Sequence, residues 1–257
     1  MSPVPESVEV AFIAPRHLAG GGDPAWVTVP LHRACGWSYG QDPLMPRVIL
    51  TSPDRKALLR LEPDPDGQWW TLHHAPEPDR PAWYASFGAR TPVEIIAAFT
   101  DALTDPQAGT PTEADPHRPL TAADWRHAGG DKAMTSPDGL ARAEHFVNST
   151  TDCWFVTTVL PQGPLWEARF GTHTPPHLIA AFTAALADPT PVPRPTPAHG
   201  GSGRGTPLVI GTTQEMPVER VAFALEERVR ALVSRRAIPA NPCAPQQPPA
   251  ASNGRSR

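Results

Sequence analysis

Residues 83–106 read WYASFGARTPVEIIAAFTDALTDP, and residues 166–189 read WEARFGTHTPPHLIAAFTAALADP. The two stretches align without a gap, and 15 of their 24 positions are identical. The chain therefore holds one unit twice. Inside each stretch the pattern changes period. Trp83, Ala85 and Phe87 lie two apart, which places them on one face of a strand. Beyond Gly88, the residues Ile95, Ile96, Phe99, Ala102 and Leu103 recur at helical spacing. Thr91, Pro92 and Glu94 read as the N-cap, N1 and N3 residues of a capping box, and Asp105-Pro106 ends the helix. Thr174 and Pro175 repeat the cap in the second copy.

Identity between the copies falls on one side. Trp83/Trp166, Ala85/Ala168 and Phe87/Phe170 are kept, while Tyr84/Glu167 and Ser86/Arg169 differ. In the helix Ile96/Ile179, Phe99/Phe182 and Leu103/Leu186 are kept. A helix packed on one face of an antiparallel sheet fixes that face and lets the other drift. The shared Gly88/Gly171 implies a positive φ or a bulge ahead of the cap.

Further markers recur upstream. Thr51-Ser52-Pro53-Asp54 returns as Thr135-Ser136-Pro137-Asp138, and Trp70 as Trp154, both 84 residues on. Pro at the second position suits a type I or II turn. Strands are expected at Val8 to Phe12, Trp26 to Val29, Val48 to Leu50, Ala57 to Leu61, Trp69 to His73 and Trp83 to Phe87. The expected fold is α+β: two tandem units, each an antiparallel sheet with one C-terminal helix packed on one face. Unit one spans 8–106, a linker 107–119, and a second, shorter unit 120–189, an early strand or loop being absent from it. A Pro/Gly-rich linker (190–216), a short amphipathic helix (217–236) and a disordered tail (237–257) follow. Val218, Ala222, Leu225, Val229 and Leu232 form an a/d seam through which the chain could self-assemble.

Charge is uneven. Residues 190–257 hold nine Arg and four Glu, a balance of +5; residues 1–189 hold 13 basic and 22 acidic groups, a balance of −9. Acidic repeats argue against nucleic acid as a partner. Cys35, Cys153 and Cys243 are odd in number and far apart, which disfavours a disulfide framework or structural zinc. The opening MSPVPESVEV lacks the basic start and apolar run of a signal peptide, and no stretch approaches the ~18 apolar residues of a membrane span. The cytoplasm is the expected compartment, with no membrane contact.

No reactive constellation emerges. His173 and His177 lie four apart, but His173 precedes the helix and the first copy has Arg90 and Glu94 there. His73-His74 face opposite ways in a strand. Ser52 and Ser136 sit in turns without a nucleophile elbow. Gly20-Gly21-Gly22 reads as a flexible loop, since no phosphate-binding Lys-Ser/Thr follows. No catalytic, cofactor or metal residue is assigned. Adjacent Trp69-Trp70 must place one ring away from the core, so Trp69, Trp70, Tyr84 and Arg169 are the candidate partner contacts.

Three features together carry a resemblance: Pro15-Arg16-His17-Leu18-Ala19-Gly20-Gly21-Gly22-Asp23 ahead of Gly36-Trp37, the Thr-Ser-Pro-Asp turn, and Trp-x-Ala-x-Phe-Gly-x-x-Thr-Pro (Trp83 to Pro92). Over roughly residues 8–189 the chain resembles domain-of-unknown-function family 317 (SPDUF) of filamentous actinobacteria, which often occurs in tandem copies. The resemblance implies no activity, cofactor or catalytic residue. The leading expectation is a non-enzymatic protein-interaction module. One alternative is an enzyme whose site, built from His17, Asp23, His32 or His73, exists only in unit one; another is self-assembly through 217–236.

Overall fold

A computed structural model describes residues 7–40, 47–62, 67–106, 114–129, 132–195 and 210–237. In chain order they form β1 (Ser7–Ala14), a 3-10 turn (Arg16–Leu18), α1 (Ala25–Arg33), β2 (Ser38–Gly40), β3 (Val48–Thr51), β4 (Ala57–Leu61), β5 (Gln68–His74), β6 (Trp83–Gly88) and α2 (Val93–Thr104). Then come α3 (Arg118–Ala122), β7 (Arg126–His127), β8 (Ala133–Thr135), β9 (Ala141–Val147), β10 (Asp152–Leu160), β11 (Gly163–Phe170), α4 (Pro176–Ala187), β12 (Val192–Pro195), β13 (Ile210–Pro217) and α5 (Val218–Ala237).

The two units share one sheet. Its order is β2-β3-β4-β5-β6-β11-β10-β9-β8-β7, antiparallel throughout. At the centre Ala168 lies opposite Phe87, Arg169 opposite Ser86 and Phe170 opposite Ala85. Ser86 and Arg169 are equivalent positions, so a local two-fold axis passes between them. Each copy thereby covers the last strand of the other, whose unpaired backbone would otherwise be exposed.

Helices α2 and α4 pack against each other on one face of this sheet. Phe87, Phe99, Phe170 and Phe182 meet there, with ring centroids 5.6 Å (Phe87–Phe99), 5.9 Å (Phe87–Phe170) and 5.0 Å (Phe170–Phe182), each pair edge-to-face. All four are buried. Retention of these phenylalanines follows from the geometry: each copy contributes half of a single aromatic core. Outside this pair, α1 lies on α2 and α3 on α4. Unit two has therefore shortened its early elements without losing them: α3 has five residues to nine in α1, and β7 two to three in β2.

Four expectations need correction. Trp26 to Val29 is helical, not a strand, because Asp23 Oδ1 accepts the Ala25 N–H (2.9 Å) and Val27, Thr28, Pro30 and Leu31 are buried on one side. The capping box does not form. The α2 cap is Pro92, the Thr91 hydroxyl is buried with no partner among the described residues, and Glu94 is held by Arg194 (2.7 Å). Gly88 and Gly171 do not have positive φ, although a bulge in β5 does fall opposite Gly88. They are glycine because the seam is close: a Cβ on Gly171 would collide with the Tyr84 ring, and one on Gly88 would lie 3.3 Å from the Glu167 backbone N. The stretch 190–216 is not only linker, since β12 and β13 flank β1 in a separate three-stranded sheet. Pro193 and Pro195 are tolerated because β12 is an edge strand. The disordered tail expected after α5 lies outside the described residues, as do 107–113 and 196–209.

Helix α5 docks on the chain's own α1. Val229 and Leu232 of its apolar seam are buried there, while Val218 and Phe223 stay exposed. Among the described residues no helix is long and apolar enough to cross a membrane.

Candidate functional site

Polar residues that looked reactive in the sequence turn out to be tied to one another. Ser52 Oγ donates to Asp54 Oδ1 (2.6 Å) and accepts the Ala57 N–H (2.9 Å), while Asp54 Oδ1 also takes the Lys56 N–H (3.1 Å). Ser136 and Asp138 repeat this with the N–H groups of Ala141 (2.9 Å) and Leu140 (3.0 Å). The Thr-Ser-Pro-Asp motif is thus a self-satisfied turn joining Thr51 to β4 and Thr135 to β9. Both serine hydroxyls are buried in their turns and bonded to an aspartate, not to a histidine base.

Unit two adds a further partner. His17 Nε2 lies 2.8 Å from Asp138 Oδ2, with the imidazole almost fully buried, and Trp166 Nε1 donates to the His17 carbonyl (2.9 Å). Burial opposes charge on Asp138, yet bonds from His17, Ser136 and the Leu140 N–H hold its carboxyl well below the usual carboxylate range. Arg16 donates to the Ala185 carbonyl (3.0 Å) and to Asp188 (2.7 Å) at the end of α4. Just after these, Gly21 O accepts the Val93 N–H (2.7 Å) at the start of α2. The Pro15–Asp23 segment is therefore a clasp between the units and not a flexible loop. Gly21 is required there, since a Cβ would sit 2.7 Å from the Ala89 carbonyl oxygen.

The residues of the one-unit enzyme alternative do not converge. His17 is held by Asp138, Asp23 caps α1, His32 Nδ1 bonds the Trp37 carbonyl (2.8 Å), and His73 lies near Tyr84 on the sheet (6.3 Å between rings). His173 and His177 also part: His173 lines a hollow of about 390 Å³ before α4, and His177 another beside Arg80 and Asp105. Two histidines that the sequence did not single out share the first hollow. His145 stacks on Trp154 (4.5 Å) and bonds Asp152 (2.7 Å), and His117 lies 4.6 Å from the same ring. Neither recurs in unit one, so the repeat gave no signal for them. Among the described residues no three His, Cys, Asp or Glu side chains are arranged to hold a metal.

What remains is the sheet face away from the helices. One row crosses the seam: Arg60, Thr71, Ser86, Arg169, Phe155 and Glu144, each opposite the next. Leu58, His73 and Tyr84 form a second row in unit one. These side chains are exposed or half-exposed apart from Ser86, and Tyr84 is 46% exposed. Of the candidate contacts, Tyr84 and Arg169 lie on this face and Trp69 is exposed beside a bulge, but Trp70 is 2% exposed and belongs to the core. Arg169 is itself paired with Glu167.

The copies differ at all six paired positions of the face: Leu58/Arg142, Arg60/Glu144, Thr71/Phe155, His73/Thr157, Tyr84/Glu167 and Ser86/Arg169. The helix-side set keeps Ala57/Ala141, Trp70/Trp154, Trp83/Trp166, Ala85/Ala168 and Phe87/Phe170. The family model for SPDY, a domain of unknown function (DUF317), matches residues 51–108 and again 135–192. The chain carries this domain twice. Each SPDY match opens at a Thr-Ser-Pro-Asp turn and runs through the three strands and the helix that follow. The clasp and α1 lie outside both. No curated protein and no solved structure matches the chain.

Proposed function

We propose that this tandem SPDY protein is a non-enzymatic protein-interaction module that meets its partner on the uncovered sheet face. One observation carries the reading: the copies keep five of nine helix-side positions (Leu59/Ala143, Leu61/His145, Leu72/Val156 and His74/Thr158 change) but none of the six paired positions of the other side. A face needed only for folding would have drifted toward small polar residues. This one instead carries Tyr84, Phe155, Leu58 and His73, the mixture of aromatic anchor and polar surround found where proteins meet. Action in the cytoplasm belongs to the same proposal, supported by Cys35 and Cys153 being free thiols.

A photo-crosslinking residue in place of Tyr84 tests it, with the same residue in place of the exposed Phe223 as control. The expected result is a discrete protein adduct from Tyr84 in extracts of the source organism and none from Phe223. Absence of any Tyr84 adduct overturns the reading. So does substrate turnover by the purified chain that a single polar substitution abolishes.

A further inference from the structure

One corner of unit one forms a shallow, open cleft. At the corner where β4 begins, β5 ends and β6 begins, Arg55, Lys56, His73 and His74 surround an opening of about 460 Å³ floored by Leu58 and Tyr84. No carboxylate lines it. The nearest ones are engaged: Asp54 by Ser52 and the Lys56 N–H, and Glu77 by Lys56 Nζ (2.5 Å). The equivalent residues of unit two are Gly139, Leu140, Thr157, Thr158 and, for Tyr84, Glu167. Leu58 is replaced there by Arg142, so unit two keeps one basic group, but the Arg55, Lys56, His73 and His74 side chains are confined to unit one.

A second observation is independent of charge. The turn needs a left-handed residue, which unit two supplies as Gly139 (φ 76°) at no steric cost. Unit one places Arg55 there at φ 61°. For an L-residue that conformation is disfavoured. The Arg55 N–H bonds the Ser52 carbonyl (2.9 Å), but its guanidinium has no bond partner among the described residues. Arg60, two residues beyond Leu58, adds positive charge on the same face, its Nε buried and unbonded among the described residues. In unit two Arg142 pairs with Glu144 and Arg169 with Glu167, as Lys56 pairs with Glu77 in unit one.

We propose that this cleft takes an acidic peptide segment of a protein partner, with carboxylates on Arg55 and Lys56 and an apolar side chain on Leu58 and Tyr84. The peptide carboxylate on Lys56 takes the place of Glu77. The proposal rests on the interaction reading above and specifies the chemistry of the partner. Charge complementarity favours a short acidic segment: a small positive cluster on repeats whose balance is −9 suits local carboxylates and repels an extended polyphosphate backbone.

The test is fluorescence anisotropy of the full chain with a labelled dodecapeptide of alternating Glu and Leu. Its Gln/Leu counterpart and an oligo-dT strand serve as comparisons. The variant Arg55→Gly with Lys56→Leu installs the residues unit two already uses, and thermal melting confirms that it folds. Saturable binding of the Glu/Leu peptide, weakened at least tenfold in the variant and by raised salt, supports the proposal. It is overturned by no binding, by equal binding of the Gln/Leu peptide, by unchanged affinity in the variant, or by tighter binding of oligo-dT. If those results overturn it while Tyr84 still crosslinks to a partner, the interaction reading stands and only the acidic segment falls.

Discussion

Asp138 receives three hydrogen bonds, from Ser136 Oγ (2.5 Å), the Leu140 N–H (3.0 Å) and His17 Nε2 (2.8 Å), whereas Asp54 has only the equivalents of the first two. Nothing in the Thr-Ser-Pro-Asp motif distinguishes the copies. The difference comes from a histidine 121 residues away, which is why spacing alone could not reveal it. Asp138→Asn keeps the shape but weakens a buried, charge-assisted bond, so urea denaturation should show a loss of about 1–3 kcal/mol. Since the folded-state pKa of Asp138 is depressed, its contribution is present above the ordinary aspartate value of about 3.9 and disappears as pH falls below it. The Asn variant should therefore narrow its stability gap to wild type as pH is lowered through that range. The repeated threonines make a second contrast. Thr174 Oγ donates to the Gly171 carbonyl (2.7 Å), with the Tyr84 carbonyl also within reach (3.1 Å), while the Thr91 hydroxyl is buried without a partner among the described residues. Thr174→Val should cost about 1–2 kcal/mol, and Thr91→Val should be neutral or slightly stabilising in the same assay.

Among the elements, α1 was the least legible. Its Trp-Val-Thr-Val run has the β-branched and aromatic character of a strand, and Pro30 argues against a helix interior. The helix survives because its missing donor is replaced from elsewhere. Pro30 cannot give an N–H to the Trp26 carbonyl, and Arg228 Nε of α5 donates there instead (2.9 Å) while its terminal nitrogens bond Asp101 of α2 (2.8 and 3.0 Å). No local sequence signal could announce a partner some 200 residues away. Arg228→Ala should thus loosen two helices, with amide hydrogen exchange in both α1 and α5 accelerating and global stability falling by about 1–3 kcal/mol. By contrast, β3 to β6, α2 and α5 were readable from period and cap residues, because each forms from its own neighbours. The cap of α2 falls at Pro92, one residue beyond the expected Thr91, and the clasp supplies Gly21 O where a side chain was expected. Gly21→Ala pushes a Cβ against a backbone oxygen that cannot yield, and a melting-temperature drop of several degrees is expected.

For the whole molecule, duplication explains more than repetition. Two units of modest size complete one aromatic core and one ten-stranded sheet, so the pseudo-two-fold axis lies inside the hydrophobic centre. The sequence carried the duplication plainly and the inward face at its tryptophans, phenylalanines and alanines, but not at Leu59/Ala143 or Leu72/Val156. It could not carry the edge-to-edge join, because the same retained phenylalanines would equally suit two separate sheets. The open face was legible only as the set of positions that failed to match. Its function is tested most directly by moving those positions. A variant with Leu58→Arg, Arg60→Glu, Thr71→Phe, His73→Thr and Tyr84→Glu gives unit one five of the six open-face residues of unit two, sparing the buried Ser86 at the seam and every inward residue. The measurement is how much protein partner this chain retains beside wild type, with thermal melting to confirm folding. A melting temperature within a few degrees of wild type and loss of the partner is the predicted result. An equally folded variant that retains the partner undiminished would contradict the account.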